Sequence, residues 1–479
     1  MEFHSYSSTC AFSSIDAIRD KHVTVMGLGL NGGGEAAVRF FLKKGAYVLV
    51  TDMKTQQQLQ TTVDRINNDP DLDTSRLTYR LGEHRIEDFE NADCVIKNPG
   101  VKYEGNKYLA AAKAIETDLS IFLRFTDCPI IAVTGSKGKS STVSAIYYGL
   151  KEAGYKTFLG GNITVSPLTF FDEVSLDTPV VIEFSSWQLA DLRGRKVLKP
   201  HISIITKIVP DHQNWYGNME DYVADKRLIY ADQDSGAYSI LDAGADEEGT
   251  GPECGGTWGD FFAKESKATV LRYDAENPRY DLGKLLVPGK HMYTNAQNAA
   301  LVMQLMNVPK ERIVKILQSW PGIDHRLQYF HSWKNACKAS FKFYNDTCAT
   351  VPQAAAAATQ AFEKPVILIT GGTDKGLELD KFTETVINRE KNFVPVKALY
   401  FLAGTATDKI LPQLDKENVK YNGPYNSLKA LLDSLKTDLQ KAEGREEIVV
   451  FSPGATSFGM FNNEFDRGNQ FMEGIKERF

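Results

Sequence analysis

The chain has 479 residues, 42% hydrophobic and 24% charged, and its 55 basic and 61 acidic side chains leave a net charge of −6. At roughly 150 residues per domain, that length gives about three domains, each able to bury a full core. The acidic balance argues against a nucleic-acid wrapper, and no apolar run approaches the ~18 residues of a membrane span. Six scattered cysteines with no Cys-x-x-Cys pair fit a reducing cytoplasm rather than a disulfide or zinc framework. Met1 to Asp20 lacks the basic and apolar regions of a secretion signal. No self-associating surface is visible, so a monomer is expected.

In chain order, three segments alternate apolar runs with helical patterns, which is the signature of α/β domains. The expected boundaries give domains at 1–126, 127–322 and 323–479. In the first, a buried strand His22–Met26 leads into a glycine-rich turn, Gly27 to Gly34, then a helix through Lys44 and a strand Tyr47–Thr51. Val95-Ile96 continues the pattern. The second opens on Pro129–Val133, a turn Gly135–Lys139 and a helix to about Gly154, with further strands at Val180–Phe184 and Ile202–Thr206. Asp242 to Asp260 reads as an exposed excursion or hairpin. The third begins near Trp320-Pro-Gly322 and carries strands at Val366–Thr370, Ala398–Leu402 and Ile448–Phe451, each ending in a small or glycine-containing turn. In open α/β sheets such turns at strand C-termini are where ligands sit, so a ligand held between domains is expected.

Two of the turns have the form of phosphate loops. Gly27-Leu-Gly29-Leu-Asn31-Gly32 fits GxGxxG after a strand and before a helix, and Asp52 follows the next strand twenty residues beyond Gly32. A helix N-terminus offering free N–H groups serves any diphosphate, so a dinucleotide, a UDP-sugar and a purely structural turn all remain open. Gly135-Ser136-Lys137-Gly138-Lys139-Ser140-Ser141 is the stronger signal. Lys139 would reach β- and γ-phosphates and the Ser140 hydroxyl would ligate Mg²⁺. The loop departs from the full Walker A form, with Val133 where the first glycine would stand.

With these loops, an ordered series of short motifs resembles the Mur ligases. It comprises Thr134-Gly-Ser-Lys-Gly-Lys-Ser-Ser141, Gly160-Gly-Asn-Ile163, Ile182-Glu-Phe-Ser-Ser-Trp-Gln-Leu189, Asp211-His212 and Ala224-Asp-Lys-Arg-Leu-Ile-Tyr230. It continues with Gly289-Lys-His291, Asn295-Ala296, Asp324-His-Arg326, Asn345-Asp346, Gly371-Gly-Thr-Asp-Lys-Gly376, Ser452-Pro453 and Arg467-Gly468-Asn469. The resemblance covers nearly the whole chain and points to the glutamate-adding branch. It implies a Rossmann-like first domain for a UDP-linked precursor, a central P-loop-type ATPase domain, and a Rossmann-like last domain that holds the amino acid and closes on the others. The implied reaction joins glutamate, as the D-isomer, to UDP-MurNAc-L-Ala through an acyl phosphate formed from ATP, in peptidoglycan precursor synthesis.

The chemistry sets what such a site needs. Carboxylate attack on a phosphate brings two anions together, a repulsion of about 4 kcal/mol at ~4 Å and an effective dielectric near 20. Cations must relieve it. By the resemblance, Ser140 and Glu183 hold one Mg²⁺, and His212 with Lys226 as a CO₂-derived carbamate holds a second. A lysine on a helix is by default a solvated cation, and carbamylation requires it neutral, hence buried. The resemblance further assigns Gly29, Leu30, Asn31, Gly32, Asp52, Asn98 and Asn162 to the UDP precursor. It gives Asn295, Arg326 and Asp346 to ATP, and Thr350, Lys375, Ser457 and Phe465 to the amino acid. Lys139, His212, Lys226, Arg326 and Lys375 are the implied catalytic set. Three positions depart from the family pattern: Cys348 for a lysine, Met292 for an asparagine, and Glu464 for an aromatic. Competing readings are another amide ligase of the folylpolyglutamate-synthase kind, an L-glutamate-adding variant, an NAD-linked oxidoreductase built on Gly27 to Asp52, and a non-enzymatic nucleotide binder.

Overall fold

The computed structural model describes residues 3–29, 32–387 and 395–479. Leu30 and Asn31, two of the expected precursor contacts, lie outside the described residues.

Among the described residues, seventeen strands form three sheets. The first contains β1 (His22–Met26), β2 (Tyr47–Asp52), β3 (Leu77–Leu81), β4 (Cys94–Lys97) and β5 (Ile115–Glu116), all parallel, in the order β3-β2-β1-β4-β5. The second contains β6 (Ile130–Thr134), β7 (Phe158–Gly161), β8 (Val180–Glu183), β9 (Ile202–Ile205), β10 (Tyr238–Asp242) and β11 (Thr269–Tyr273), parallel throughout, in the order β11-β10-β9-β6-β8-β7. The third contains β12 (Gln328–Lys334), β13 (Ser340–Asn345), β14 (Val366–Gly371), β15 (Val396–Leu402), β16 (Asn422–Tyr425) and β17 (Glu446–Phe451). Its order is β12-β13-β17-β14-β15-β16, parallel except for the β12–β13 pair.

Central strands are continuous apolar runs because helices cover both faces of a parallel sheet. Every residue of β6, β8 and β9 is buried. The segment expected as an excursion or hairpin is a turn between β10 and the helix Trp258–Glu265, not a hairpin. It is closed by a bond from the Trp258 amide to Asp246 Oδ2 (2.7 Å). Trp258 is buried and seats that helix in the core.

Two switch points in strand order place the loops. In the first sheet the order reverses at β1, so the turns after β1 and β4 stand side by side. In the second it reverses at β6, and the Gly135–Gly138 loop follows that strand. The described residues up to Asp281, with Thr294–Ile316, form one compact unit that holds the first two sheets. Leu282–Tyr293 with Leu317–Phe479 form the other. No helix among the described residues is long and apolar enough to cross a membrane.

Within the first unit, buried ion pairs join the first sheet to the segment after β8. Lys97 Nζ lies 2.7 Å from Asp191 Oδ2, and Arg195 Nη1 2.9 Å from Glu116 Oε2, with all four side chains almost fully buried. Tyr6, from the N-terminal segment, donates its hydroxyl to Asp191 Oδ1 (3.2 Å) and receives the Arg195 guanidinium over its ring. Removing one partner leaves an uncompensated buried charge. Lys97→Met is therefore expected to lower the unfolding free energy by about 3–5 kcal/mol in urea, while a Lys97→Met/Asp191→Leu pair recovers most of it. Equal stability of Lys97→Met and wild type would contradict this account of the join.

Candidate active site

The second loop forms where β6 gives way to the helix Lys139–Glu152, and glycine is required at both bends. A Cβ on Gly135 (φ 141°) would sit 2.0 Å from Thr206 Oγ1, and one on Gly138 (φ 90°) 2.7 Å from Asn295 Oδ1. The amides of Ser136 and Lys137 are tied back to the Lys207 carbonyl, 2.9 and 3.2 Å away. The first N–H groups of the helix, at Lys139, Ser140 and Ser141, have no partner inside it and are the donors a phosphate would meet. Asn295 packs behind Gly138 and accepts from Thr142 Oγ1 at 3.3 Å, so it backs the loop itself. Lys137 extends into solvent near Asp211.

Lys226 is fully buried at the end of the helix Met219–Lys226. Its Nζ donates to the Gly135 carbonyl at 2.8 Å, and Lys139 Nζ donates to the same oxygen at 2.9 Å. Two lysines on one carbonyl disfavour two charges. Burial, and then the neighbouring Lys139, hold the Lys226 amine well below the ordinary lysine range; burial also lowers Lys139. The Tyr222 ring lies under Lys226 Nζ at 4.4 Å, and its hydroxyl donates to Ser136 Oγ at 2.9 Å, locking helix to loop.

Glu183 is the last residue of β8, in register with Val133 on β6. Its Oε1 accepts from Asn162 Nδ2 at 2.9 Å, while Oε2 is buried with no hydrogen-bond partner. His212 holds a left-handed backbone (φ 52°) at the start of the short helix Gln213–Tyr216, half exposed, with its ring 5.0 Å from that of Trp187. Its ring centroid is 6.3 Å from that of Tyr222, so Tyr222 neighbours both His212 and Lys226.

A cleft of about 290 Å³ opens beside this group at the first switch point. Its walls include the Gly27 turn, Asn98, Asn162 and Trp187. The helix Gly33–Lys43 starts in it with Gly32 as N-cap. The glycine that lets helix and strand approach is Gly34, where a Cβ would meet the Gly27 and Leu28 carbonyls at 2.4 and 2.3 Å. Asp52 braces the turn: its carboxylate accepts from the amides of Gly29 (3.1 Å) and Lys54 (2.8 Å).

The remaining expected residues lie in the second unit, in two groups. Asp346 accepts from the Leu327 amide (3.1 Å) and Ser452 Oγ (2.6 Å), with Arg326 the cation that acts on its charge. Cys348 sits against the same arginine. Thr350 receives a bond from Lys375 Nζ (3.1 Å), and Ala455 lines the same small pocket two residues before the buried Ser457. Phe465 is apart from these, half exposed, with its ring edge-on to His325. Burial pushes the Asp346 carboxyl up from 3.8 to about 6. Between those pH values the folded state keeps the proton and the unfolded chain loses it, so this group's contribution to stability falls as pH rises through that window. Asp346→Asn is expected to be more stable than wild type at pH 7.5, by up to roughly 3 kcal/mol, and to lose that advantage at about pH 3.5. Urea unfolding at the two pH values measures it.

Comparison with known proteins agrees with this geometry. A profile described as the Mur ligase middle domain matches residues 133–303, and one described as the Mur ligase MurD-like, N-terminal domain matches residues 21–119. A Treponema pallidum protein named UDP-N-acetylmuramoylalanine–D-glutamate ligase is 37% identical, over 96% of this chain and 98% of its own length. The chain belongs to the Mur ligase family. A Borreliella burgdorferi protein of the same name is 38% identical over 95% of this chain and 98% of its own. One from Roseiflexus is 32% identical over 96% and 99%. Among solved structures, the Thermotoga maritima UDP-N-acetylmuramate-alanine ligase MurC matches with a TM-score of 0.52 at 16% identity, over 95% of this chain and 99% of that one. MurF from Acinetobacter baumannii matches with a TM-score of 0.51 at 16% identity, over 82% and 93%. These two share the Mur ligase fold.

Mur ligases use ATP and Mg²⁺. The residues fit a divalent cation: Glu183 Oε2 is a buried, unpartnered carboxylate oxygen beside the loop that carries Ser140. No group of three or more His, Cys, Asp or Glu side chains that could hold a metal ion gathers among the described residues. Several residues that line the cleft or brace the loop were not assigned a role from sequence. Ser185 and Gln188 line the cleft while capping the helix Ser186–Ala190. The spacing Ser-x-x-Gln is a capping-box signal that was available. Tyr222 and Lys97 gave no local signal, because their roles rest on partners 86 and 94 residues away.

Proposed function

We propose that the chain is an ATP-dependent ligase that joins D-glutamate to UDP-N-acetylmuramoyl-L-alanine in peptidoglycan precursor synthesis. The observation that carries this is the pairing of Lys139 and Lys226 on the Gly135 carbonyl, next to the unpartnered Glu183 oxygen and one hydrogen bond from Asn162 in the precursor cleft. An oxidoreductase built on the Gly27 turn has no use for that group.

The roles follow from position. The precursor's diphosphate takes the N-terminus of the helix Gly33–Lys43, and its alanine carboxylate reaches Asn162. The first amides of the helix Lys139–Glu152 and Lys139 hold the triphosphate. Ser140 and Glu183 would hold one Mg²⁺, and His212 with Lys226 as a carbamate would hold a second; such ions would supply positive charge against the phosphates. CO₂ would add to the neutral Lys226 amine, which would lose a proton to water, so a buried neutral amine would become an anionic carbamate. The alanine carboxylate oxygen bonds to the γ-phosphorus and ADP leaves. The glutamate amine then attacks the acyl carbon and phosphate departs. Arg326 and Asp346 are assigned to nucleotide, and Thr350, Lys375, Ser457 and Phe465 to the amino acid. The three sheets correspond to domains at 1–126, 127–322 and 323–479, in a cytoplasmic monomer.

Phosphate release tests the reading. With ATP, Mg²⁺ and UDP-MurNAc-L-Ala present, D-glutamate is expected to drive release, with L-glutamate and D-aspartate far weaker. Release that does not depend on the UDP precursor overturns it.

A further inference from the structure

Asp118 is the one carboxylate among the described residues that line the precursor cleft. It opens the helix Asp118–Phe125, but it does not cap it: the cap is Thr117, whose hydroxyl oxygen accepts from the Ser120 amide at 3.0 Å. The Asp118 carboxylate instead accepts from the Leu119 amide (2.8 Å) and from Ser166 Oγ (2.7 Å). A carboxylate has about four acceptor sites, so roughly two remain for a ligand. The cleft's one ammonium, Lys97, is already neutralised by Asp191.

The adjoining wall is under strain. Thr164, a β-branched residue, holds φ 65° in the loop Asn162–Ser166. That loop is pinned by a 2.7 Å bond from the Gly161 amide to the Val165 carbonyl. Such a conformation persists where its surroundings over-determine it, and these clamps cluster at ligand sites. The loop carries Asn162 at one end and Ser166, the partner of Asp118, at the other. An anion in this position repels a diphosphate and suits a neutral group rich in O–H and N–H donors.

We propose that Asp118 is a specificity residue of the cleft: its carboxylate accepts hydrogen bonds from the hydroxyl or acetamido N–H groups of the precursor's amino sugar. The inference rests on the ligase reading above and adds the residue that reads the sugar between the diphosphate and the alanine.

Calorimetry on the full chain, with UDP and with UDP-N-acetylmuramoyl-L-alanine as ligands, tests it in wild type and Asp118→Asn. Asparagine keeps an acceptor oxygen for Ser166 or Leu119 and the size of the side chain. The expected result is an unchanged Kd for UDP, within about twofold, and a Kd for the precursor weakened about tenfold or more, the scale of a hydrogen bond to a charged group. Undiminished precursor binding by the variant overturns the inference alone. So does an equal loss for both ligands, which marks a structural tie between Asp118 and Ser166. Wild type that binds neither ligand overturns the ligase reading and this inference with it.

Discussion

Lys226→Ala is expected to lower kcat at least about a thousandfold, because on the proposed reading it removes both the carbamate site and its share of a second cation's charge. Acetate or propionate at high concentration should restore part of the rate, since a free carboxylate can enter the space the side chain leaves. The loss follows from where Lys226 stands. Its amine is fully buried, donates to the Gly135 carbonyl at 2.8 Å and shares that oxygen with Lys139. A lysine kept only for structure would give a variant that loses stability and is not rescued. A variant with wild-type rate contradicts the assignment outright.

Glu183→Gln carries the second large effect. Glutamine keeps the acceptor that Asn162 uses and the side-chain volume, but it replaces the unpartnered anionic oxygen. The Mg²⁺ concentration for half-maximal rate is expected to rise about tenfold or more, with kcat falling on the order of a hundredfold or more. Titrating Mg²⁺ at fixed ATP measures both. Superimposable curves for variant and wild type would show that Glu183 does not face the metal.

The parts of this molecule that were readable in the sequence are those fixed by local pattern. Ile130–Thr134, Val180–Glu183 and Ile202–Ile205 are buried on both faces, so runs of Ile and Val mark them, with Ser203 inside one run and Thr134 and Glu183 at the ends of the others. Edge strands did not stand out. Leu77–Leu81 alternates but is only five residues long and half-buried, and Gln328–Lys334 mixes polar with apolar residues without alternation, so neither shows a continuous apolar run. The helix Trp258–Glu265 was missed because it starts inside an acidic, glycine-rich stretch, where Trp258 is the residue that anchors it.

The same division holds for the site. The Gly135–Ser141 loop is contiguous and could be read directly. The first fingerprint was readable as a turn, but the bonds that hold it were not: the Asp52 carboxylate braces the amides of Gly29 and Lys54. Gly34, outside the GxGxxG spacing, makes the close helix–strand approach. The burial of Lys226 was only suggested by the Leu228-Ile229-Tyr230 that follows it; the shared Gly135 carbonyl joins residues 91 apart. Asp118 and Ser166, 48 residues apart, meet only through the packing of two lobes.

The central claim is that the precursor's carboxylate is activated by phosphorylation. Oxygen transfer tests it most directly. UDP-MurNAc-L-Ala carrying ¹⁸O in its alanine carboxylate is turned over with ATP, Mg²⁺ and D-glutamate, and the released phosphate is analysed by mass. The account predicts one ¹⁸O in each phosphate, carried from the carboxylate through the acyl phosphate. Phosphate free of label, formed at the same rate as the amide, would contradict it.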